Sequence, residues 1–205
     1  MFLEERMKRM KQTDVKQSKE EYKKYKVQSL LGSGKTAKTF LVTDKFGYEY
    51  ALKQYKKTKS INKILQEVAW QRRCSDVQIS PKIIDVDTKG KFIVMEKMDY
   101  FLLDEINFHK TLSTARQKEL VAILQKLDKI GIFHGDANLL NLMIKNNRLY
   151  IIDFDMSKEI DEKLISSMHT STPNLFFMIL AVIANLKLAN VNPSTYTFLQ
   201  SFVAK

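Results

Sequence analysis

A chain of 205 residues, 44% of them hydrophobic, is long enough to bury a core and makes one or two domains. Its 34 Lys and Arg against 23 Asp and Glu leave a net charge of +11, which favours an acidic partner: an acidic protein, nucleic acid or an anionic membrane surface. A single cysteine, Cys74, excludes an internal disulfide and fits a reducing compartment. The first residues, MFLEERMKRMKQ, are charged and lack the apolar stretch of a secretory signal. The longest apolar run, residues 175–184, is too short to span a bilayer, so it reads as a buried helix and no transmembrane segment is expected. No internal repeat is visible.

Residues 1–26 are dense in Lys, Glu, Gln and Arg. They read as a helical or disordered basic extension, either a solvated arm or a docking helix. Residues 27–42, VQSLLGSGKTAKTFLV, read as strand, glycine-containing turn and strand. Gly34-Lys35-Thr36 invites a Walker A reading. The first glycine of that motif would fall at Ser29, however, and a strand rather than a helix follows. Asp44-Lys45-Phe46-Gly47 turns the chain into a strand over residues 48–55. A helix is expected from about Ile61 to Cys74, with Ile64, Val68 and Gln71 on one stripe and Glu67 as its only glutamate. Ser80-Pro81 ends the loop after it. Residues 83–86 and 92–95 read as two more strands joined by Asp87-Thr88-Lys89-Gly90. Thr114 and Gln117 read as a capping box for a helix running to Ile130, which Gly131 closes. Its apolar face is broad.

The next stretch, residues 134–155, reads HGDANLLNLMIKNNRLYIIDFD. Asp136 and Asn141 sit in a polar loop. Residues 142–144 read as a strand, Lys145-Asn146-Asn147-Arg148 as a turn because Asn tolerates left-handed backbone angles, and residues 149–152 as the returning strand. Such a hairpin brings Asn141 and Asp153 to the same open end, with Asp136 beside them. Carboxylate and amide oxygens meeting there suit a hard cation such as Mg²⁺. A polar stretch leads to Pro173, a buried helix follows over residues 175–188, and Asn192-Pro193 opens a last short helix.

H-G-D-x-x-x-x-N, a hairpin and then I-D-F-D resemble the catalytic and metal-binding loops of the protein-kinase-like superfamily, H-R-D-x-x-x-x-N and D-F-G. The other parts of that family follow in order. Gly32 and Gly34, with Ala37 in the third glycine's place and Thr39 for the valine, resemble G-x-G-x-x-G-x-V, whose small residues let backbone N–H groups approach nucleotide phosphates. Tyr50-Ala51-Leu52-Lys53 resembles the V-A-I-K strand, and residues 94–98 resemble the hinge. The resemblance implies an α+β, bilobal fold: a basic extension (1–26), a five-stranded N-lobe with its helix (27–97), and a reduced helical C-lobe (98–205). It implies ATP and Mg²⁺ as cofactors. By the same resemblance Lys53 would hold the α- and β-phosphates with Glu67 as its partner. Asp136 would accept or orient the attacking hydroxyl, and Asn141 and Asp153 would hold Mg²⁺. Met95 would be the gatekeeper, and backbone groups from Glu96 to Met98 would read the adenine edge. His134 reads as structural, since Ile132 and Phe133 beside it look buried.

The departures are specific. Gly135 replaces the arginine of H-R-D, Asn138 stands where serine/threonine kinases carry a lysine, Asp155 replaces the glycine of D-F-G, and no A-P-E motif is present. H-G-D and I-D-F-D also occur in aminoglycoside- and choline-kinase-like phosphotransferases, which build substrate pockets from a large helical C-terminal region. The compactness instead resembles RIO-type kinases and the minimal kinases of bacterial effectors and large DNA viruses. The expectation is therefore an ATP- and Mg²⁺-dependent protein kinase of the serine/threonine type with a protein substrate. It would work in the cytoplasm, or in a host cytosol if viral or secreted. The alternatives are small-molecule phosphotransfer and a nucleotide-binding scaffold without activity. With no arginine beside Asp136 to receive a phosphate, activity is expected without phosphorylation of the segment after Asp155.

Overall fold

The computed structural model describes Tyr22 and residues 24–203, so most of the expected basic extension lies outside the described residues. The chain forms two compact units. The first takes the described residues up to Ser60 together with Ile84–Lys97, and the second takes Ile61–Ile83 and Met98 onwards.

The first unit is a five-stranded sheet. Its strands are β1 (Lys26–Ser33), β2 (Ala37–Thr43), β3 (Glu49–Tyr55), β4 (Ile83–Asp87) and β5 (Phe92–Glu96), in the order β1-β2-β3-β5-β4. β3 runs antiparallel to both neighbours, with Lys53 opposite Thr39 on one side and Ile93 on the other. Alternation across the pleat sends Leu52 to one face and Lys53 to the other. Leu52, Val42, Phe92 and Val94 form the apolar cluster of this unit. Tyr22 and Tyr25, inside the stretch read as an extension, are buried in the same cluster, and the Tyr22 ring meets Phe92 edge-on at 5.2 Å. Lys24 pairs with Asp85 at 3.2 Å.

The second unit begins with α1 (Ile61–Asp76). It continues through β6 (Tyr100–Phe101), α2 (Leu102–His109), α3 (Thr114–Lys129), β7 (Ile132–Phe133), β8 (Leu142–Lys145), β9 (Arg148–Ile151), β10 (Lys158–Glu159), α4 (Glu162–Met168), α5 (Pro173–Leu188) and α6 (Thr197–Gln200). Leu120, Leu124 and Leu127 of α3 and Ile179, Val182 and Leu186 of α5 are almost fully enclosed in one core. Each such side chain contributes about 1.5–3 kcal/mol on burial. α1 joins this core through Cys74 and Trp70. Burial pushes the Cys74 thiol up to about 12. The Ile151 N–H donates to the Ile79 carbonyl at 2.8 Å, fastening the segment after α1 to β9.

The cap of α3 is Ser113, not Thr114: its Oγ accepts from the Arg116 N–H at 3.2 Å. Ser113 keeps an extended ψ of 149°, so its side chain can reach back, whereas Thr114 is already helical. Gln117 takes no part in a capping box; it is buried and its Nε2 ties the Leu112 carbonyl (2.7 Å) to the Thr195 carbonyl (2.8 Å). The stretch Glu162–Leu188 has the length and apolarity to cross a membrane by composition. His169, with φ +54°, breaks it into α4 and α5, and α5 buries Leu175, Met178, Ile179, Val182, Ile183 and Leu186, as expected of a core helix.

Candidate active site

The β8–β9 hairpin turns on Asn146 and Asn147, both left-handed with φ of +49° and +59°. A two-residue turn of that kind matches the twist of paired strands. The turn is clamped from outside. Asn146 N–H donates to Asp99 Oδ2 at 2.9 Å, Arg116 donates to Asn147 Oδ1 at 2.9 Å, and Leu149 N–H donates to Glu119 Oε1 at 2.8 Å. Arg116 is itself buried between Glu105 and Glu119. At the open end the Ile152 N–H donates to the Asn141 carbonyl at 3.0 Å. Asn141 and Asp153 are therefore carried at the same end of one hairpin.

Asp136 and Asn141 are in direct contact. Asn141 Nδ2 donates to Asp136 Oδ2 at 2.9 Å and to the Asp136 carbonyl at 3.2 Å. With its nitrogen spent on Asp136, Asn141 keeps its Oδ1 as an acceptor. The turn Leu139–Asn141 is started by Asn138, whose Oδ1 accepts from Leu140 N–H at 2.9 Å. Asn138 thus serves as a cap where serine/threonine kinases carry a lysine.

His134 is enclosed, with 2% of its surface exposed. Its Nε2 lies 2.9 Å from the Ile152 carbonyl and its Nδ1 3.2 Å from the Asp136 carbonyl. Its ring meets Phe154 edge-on at 5.1 Å. Desolvation drives its pKa down, against the opposing pull of the Ile152 carbonyl and the Asp153 and Asp136 charges. A neutral ring donates one hydrogen bond, and the shorter contact to Ile152 fits that donor. His134 therefore couples the loop that holds Asp136 to the strand end before Asp153, in keeping with the structural role read from the sequence.

Gly135 has φ +82°, and a Cβ built on it would stand 2.3 Å from the Met156 carbonyl oxygen. No side chain fits there. The residue that replaces the arginine of H-R-D is a close-packing point against the turn Phe154–Met156. Asp153 opens that turn with φ +67° and ψ +70°, a left-handed backbone in a residue with a side chain. Such a conformation costs about 1–3 kcal/mol and persists where its neighbours enforce it. Here His134 holds the residue before it and Phe154, 1% exposed, anchors the residue after it.

Sequence reasoning passed over Asn174 and Asp128. The Asn174 Oδ1 accepts from the His134 N–H at 2.8 Å, and its Nδ2 donates to Asp128 Oδ1 and to the Ile132 carbonyl, each at 2.7 Å. The Asp128 carboxylate in turn accepts from Asn174 N–H and Leu175 N–H, each at 3.0 Å, and so caps α5 from the end of α3. Burial raises the Asp128 pKa against these hydrogen bonds. Pro173 at the first turn of α5 marked the helix start; nothing in the local pattern marked its partner on α3.

The remaining candidates are divided between the units. In the first, Lys53 is 8% exposed on β3, with its Nζ 5.5 Å from the centre of the Tyr55 ring. Met95 is buried on β5 opposite Ala51, and Glu96 lies opposite Tyr50. Ala37 is buried and opposite Tyr55. A Cβ on Gly32 would meet nothing within 4 Å and one on Gly34 only the Ala37 carbonyl at 3.6 Å. In the second unit, Glu67 is 2% exposed on α1, and Met98 is buried.

One carboxylate, Asp153, and one amide oxygen, Asn141 Oδ1, make a hard-oxygen donor set that fits Mg²⁺, which keeps several waters and takes few protein ligands. Among the described residues no group of three or more His, Cys, Asp or Glu gathers as a metal cluster would require. The open space over Gly32 likewise would admit the close approach of a phosphate chain.

The chain is 29% identical over 99 residues to the KEOPS complex subunit Bud32 of Pyrococcus abyssi, a match covering 46% of this chain and 44% of that protein. It is 26% identical over 166 residues to the probable serine/threonine-protein kinase YbdM of Bacillus subtilis, covering 75% and 65%. A probable serine/threonine-protein kinase BUD32 homolog of Archaeoglobus fulgidus is 30% identical over 77 residues, covering 38% and 37%. The chain thus spans less than two thirds of the length of each of these relatives. The protein kinase domain family matches residues 25–178, a span that takes in the glycine turn, Lys53, Glu67 and the loop from His134 to Asp155. With that match over well more than half its length, the chain belongs to the protein kinase domain family.

Proposed function

We propose that this chain is an ATP- and Mg²⁺-dependent protein kinase of the serine/threonine type. The observation that carries the reading is the Asp136–Asn141 contact at 2.9 Å, at the end of the hairpin that also carries Asp153. In this reading Asp136 orients the acceptor hydroxyl and takes its proton. Asn141 and Asp153 hold the metal, which when bound supplies charge neutralisation for the transferring phosphoryl group. Lys53 holds phosphate oxygens, and Glu67 keeps it charged and oriented. Gly32, Gly34 and Ala37 give the phosphates room, and the backbone from Glu96 to Met98, behind Met95, receives the adenine. The names of the relatives support transfer to protein hydroxyls. Two of those relatives carry the name Bud32, one as a KEOPS complex subunit, and by that likeness this chain would also work inside a larger assembly.

The test is transfer of labelled γ-phosphate from ATP to the protein itself and to a generic basic protein. Asp136→Asn is expected to lower the rate by about 10²–10⁴-fold while nucleotide binding persists. Asp153→Asn is expected to remove the Mg²⁺ dependence of nucleotide binding. Full transfer by both variants would overturn the assignment, and transfer only to aminoglycosides or choline-like amines would move the acceptor to small molecules.

Activity without prior phosphorylation belongs to the same reading. The segment after Asp155 is held by the Ser157 hydroxyl on the His134 carbonyl (3.1 Å), by β10 pairing with β7, and by Asp161 capping α4. Phosphatase-treated protein should show no lag in its initial rate; a lag abolished by preincubation with ATP would refute this.

A further inference from the structure

The charge of the described chain is unevenly divided. Residues 24–60 and 84–97, in the first unit, hold 12 lysines, no arginine and 5 acidic residues. Residues 61–83 and 98–203, in the second, hold 14 Lys and Arg against 13 Asp and Glu. Solubility is served by interspersed charges of both signs, and the second unit has that balance. The first does not.

The sheet concentrates the lysines further. Three connections meet at one of its ends: the β1–β2 turn, the exit from β3 and the β4–β5 turn. Hydrogen bonds tie them together, Lys56 N–H to the Thr36 carbonyl and Tyr55 N–H to the Lys91 carbonyl, each at 2.9 Å. Lys91 Nζ reaches the Lys57 and Lys59 carbonyls at 2.7 and 2.9 Å, and Gln54 Nε2 reaches the Gly90 carbonyl at 2.8 Å. Lys35, Lys38, Lys56, Lys57 and Lys89 are exposed on or beside these connections. Among the described residues of these connections the acidic side chain is Asp87, which accepts from the Gly90 N–H at 2.6 Å to shape the turn. At the opposite end charges alternate, as in the Lys97–Glu49 pair at 2.7 Å. The exposed aromatics Phe46 and Tyr48 also stand there, on the β2–β3 connection.

The chemistry of this face selects its partner. Protein interfaces draw on aromatic residues and arginine at their centre and are depleted in lysine. Planar two-point recognition of a carboxylate uses the guanidinium fork. A lysine-only face offers mobile point charges instead, and five strands at about 4.8 Å spacing spread them across roughly 19 Å. That suits a chain of regularly spaced negative charges. We propose that this end of the first-unit sheet docks the phosphate backbone of a nucleic acid without reading its bases. Among the described residues no exposed aromatic is present at this end to stack on a base, so sequence and sugar should matter little.

The test uses the full chain and two fluorescently labelled single strands of about 20 nucleotides, one RNA and one DNA of the same sequence, followed by anisotropy across a salt series. Both are expected to bind with affinities within about threefold of each other, and the logarithm of the affinity should fall linearly with the logarithm of salt concentration, by about 0.7 per neutralised phosphate. The variant Lys38→Gln, Lys56→Gln, Lys57→Gln, Lys89→Gln should bind at least about tenfold more weakly near 0.1 M salt and lose about two or three units of slope. These side chains are exposed, so its thermal unfolding should match the wild type. Should it not, the pair Lys56→Gln, Lys57→Gln alone must still reduce the slope by at least about one unit. Failure of the wild type to bind either strand, equal binding by the variants, or tighter binding of a poly-glutamate peptide than of either strand overturns the proposal. The last outcome would assign the face to an acidic protein.

Discussion

The loop from His134 to Asn141 and the turn from Gly32 to Thr36 both rely on glycine, for opposite reasons. Gly135 is needed by the fold: its φ is +82° and the Met156 carbonyl occupies the place of a Cβ. Around it the loop is fixed by Asn174, Ser157, Ile152 and Asn138. The glycine turn is held by the Gly34 N–H on the Ala37 carbonyl at 2.8 Å and the Lys56 N–H on the Thr36 carbonyl at 2.9 Å, while a Cβ on Gly32 would meet nothing within 4 Å and one on Gly34 only the Ala37 carbonyl at 3.6 Å. One region is packed before any ligand arrives, while the other leaves room for one. On the proposed function, rigidity is placed where reacting groups would be aimed, and bare backbone where phosphates would come close.

Substitutions in the two loops test this contrast. The largest effect is expected from Gly135→Ala, which must move backbone on two sides. It should lower stability by about 3 kcal/mol or more, read as a urea midpoint shift. A variant as stable as the wild type would mean that the close approach to Met156 is not a constraint. Asn174→Ala comes next. It strips partners from the His134 N–H, the Ile132 carbonyl and Asp128 at once, and should cost about 2–3 kcal/mol.

Acidification should produce a smaller effect through His134. Its pKa is lower in the folded state than in the unfolded chain, so the unfolded chain binds the proton more readily. The stability tied to its neutral ring is present in full above about pH 6.5 and is lost progressively as pH falls below that value. Denaturant titrations across this range should show the slope, and His134→Asn should flatten it. The smallest effect on stability, and of opposite sign, is expected at Gly34→Ala. With φ negative and the nearest neighbour at 3.6 Å, alanine should be neutral or stabilising by up to about 1 kcal/mol, while nucleotide affinity falls. A loss of stability there would erase the contrast between the two glycine regions.

Much of this arrangement is written in short-range pattern. The Asn-Asn hairpin, the five strands, the stripe of Ile64, Val68 and Gln71 on α1, and Gly131 closing α3 with φ +73° all follow from residues within a few positions of one another. So does the spacing that places Asp136 on Asn141. Backbone propensity and periodicity act over that range, and a single sequence displays them directly.

The tertiary structure decided what depends on partners far along the chain. Ser113 rather than Thr114 caps α3 because the incoming chain fixes which residue is still extended. Gln117 was drawn from the cap to the Thr195 carbonyl, 78 positions away. Gly135 is visible in the sequence as a departure from H-R-D, yet its cause is a carbonyl 21 residues later. Asn174 holds the His134 backbone, 40 positions away, with Asp128, 46 away, on its other side. A buried polar group takes whichever partner the packing of helices delivers, and that choice is made by the closure of the core, not by the residues beside it.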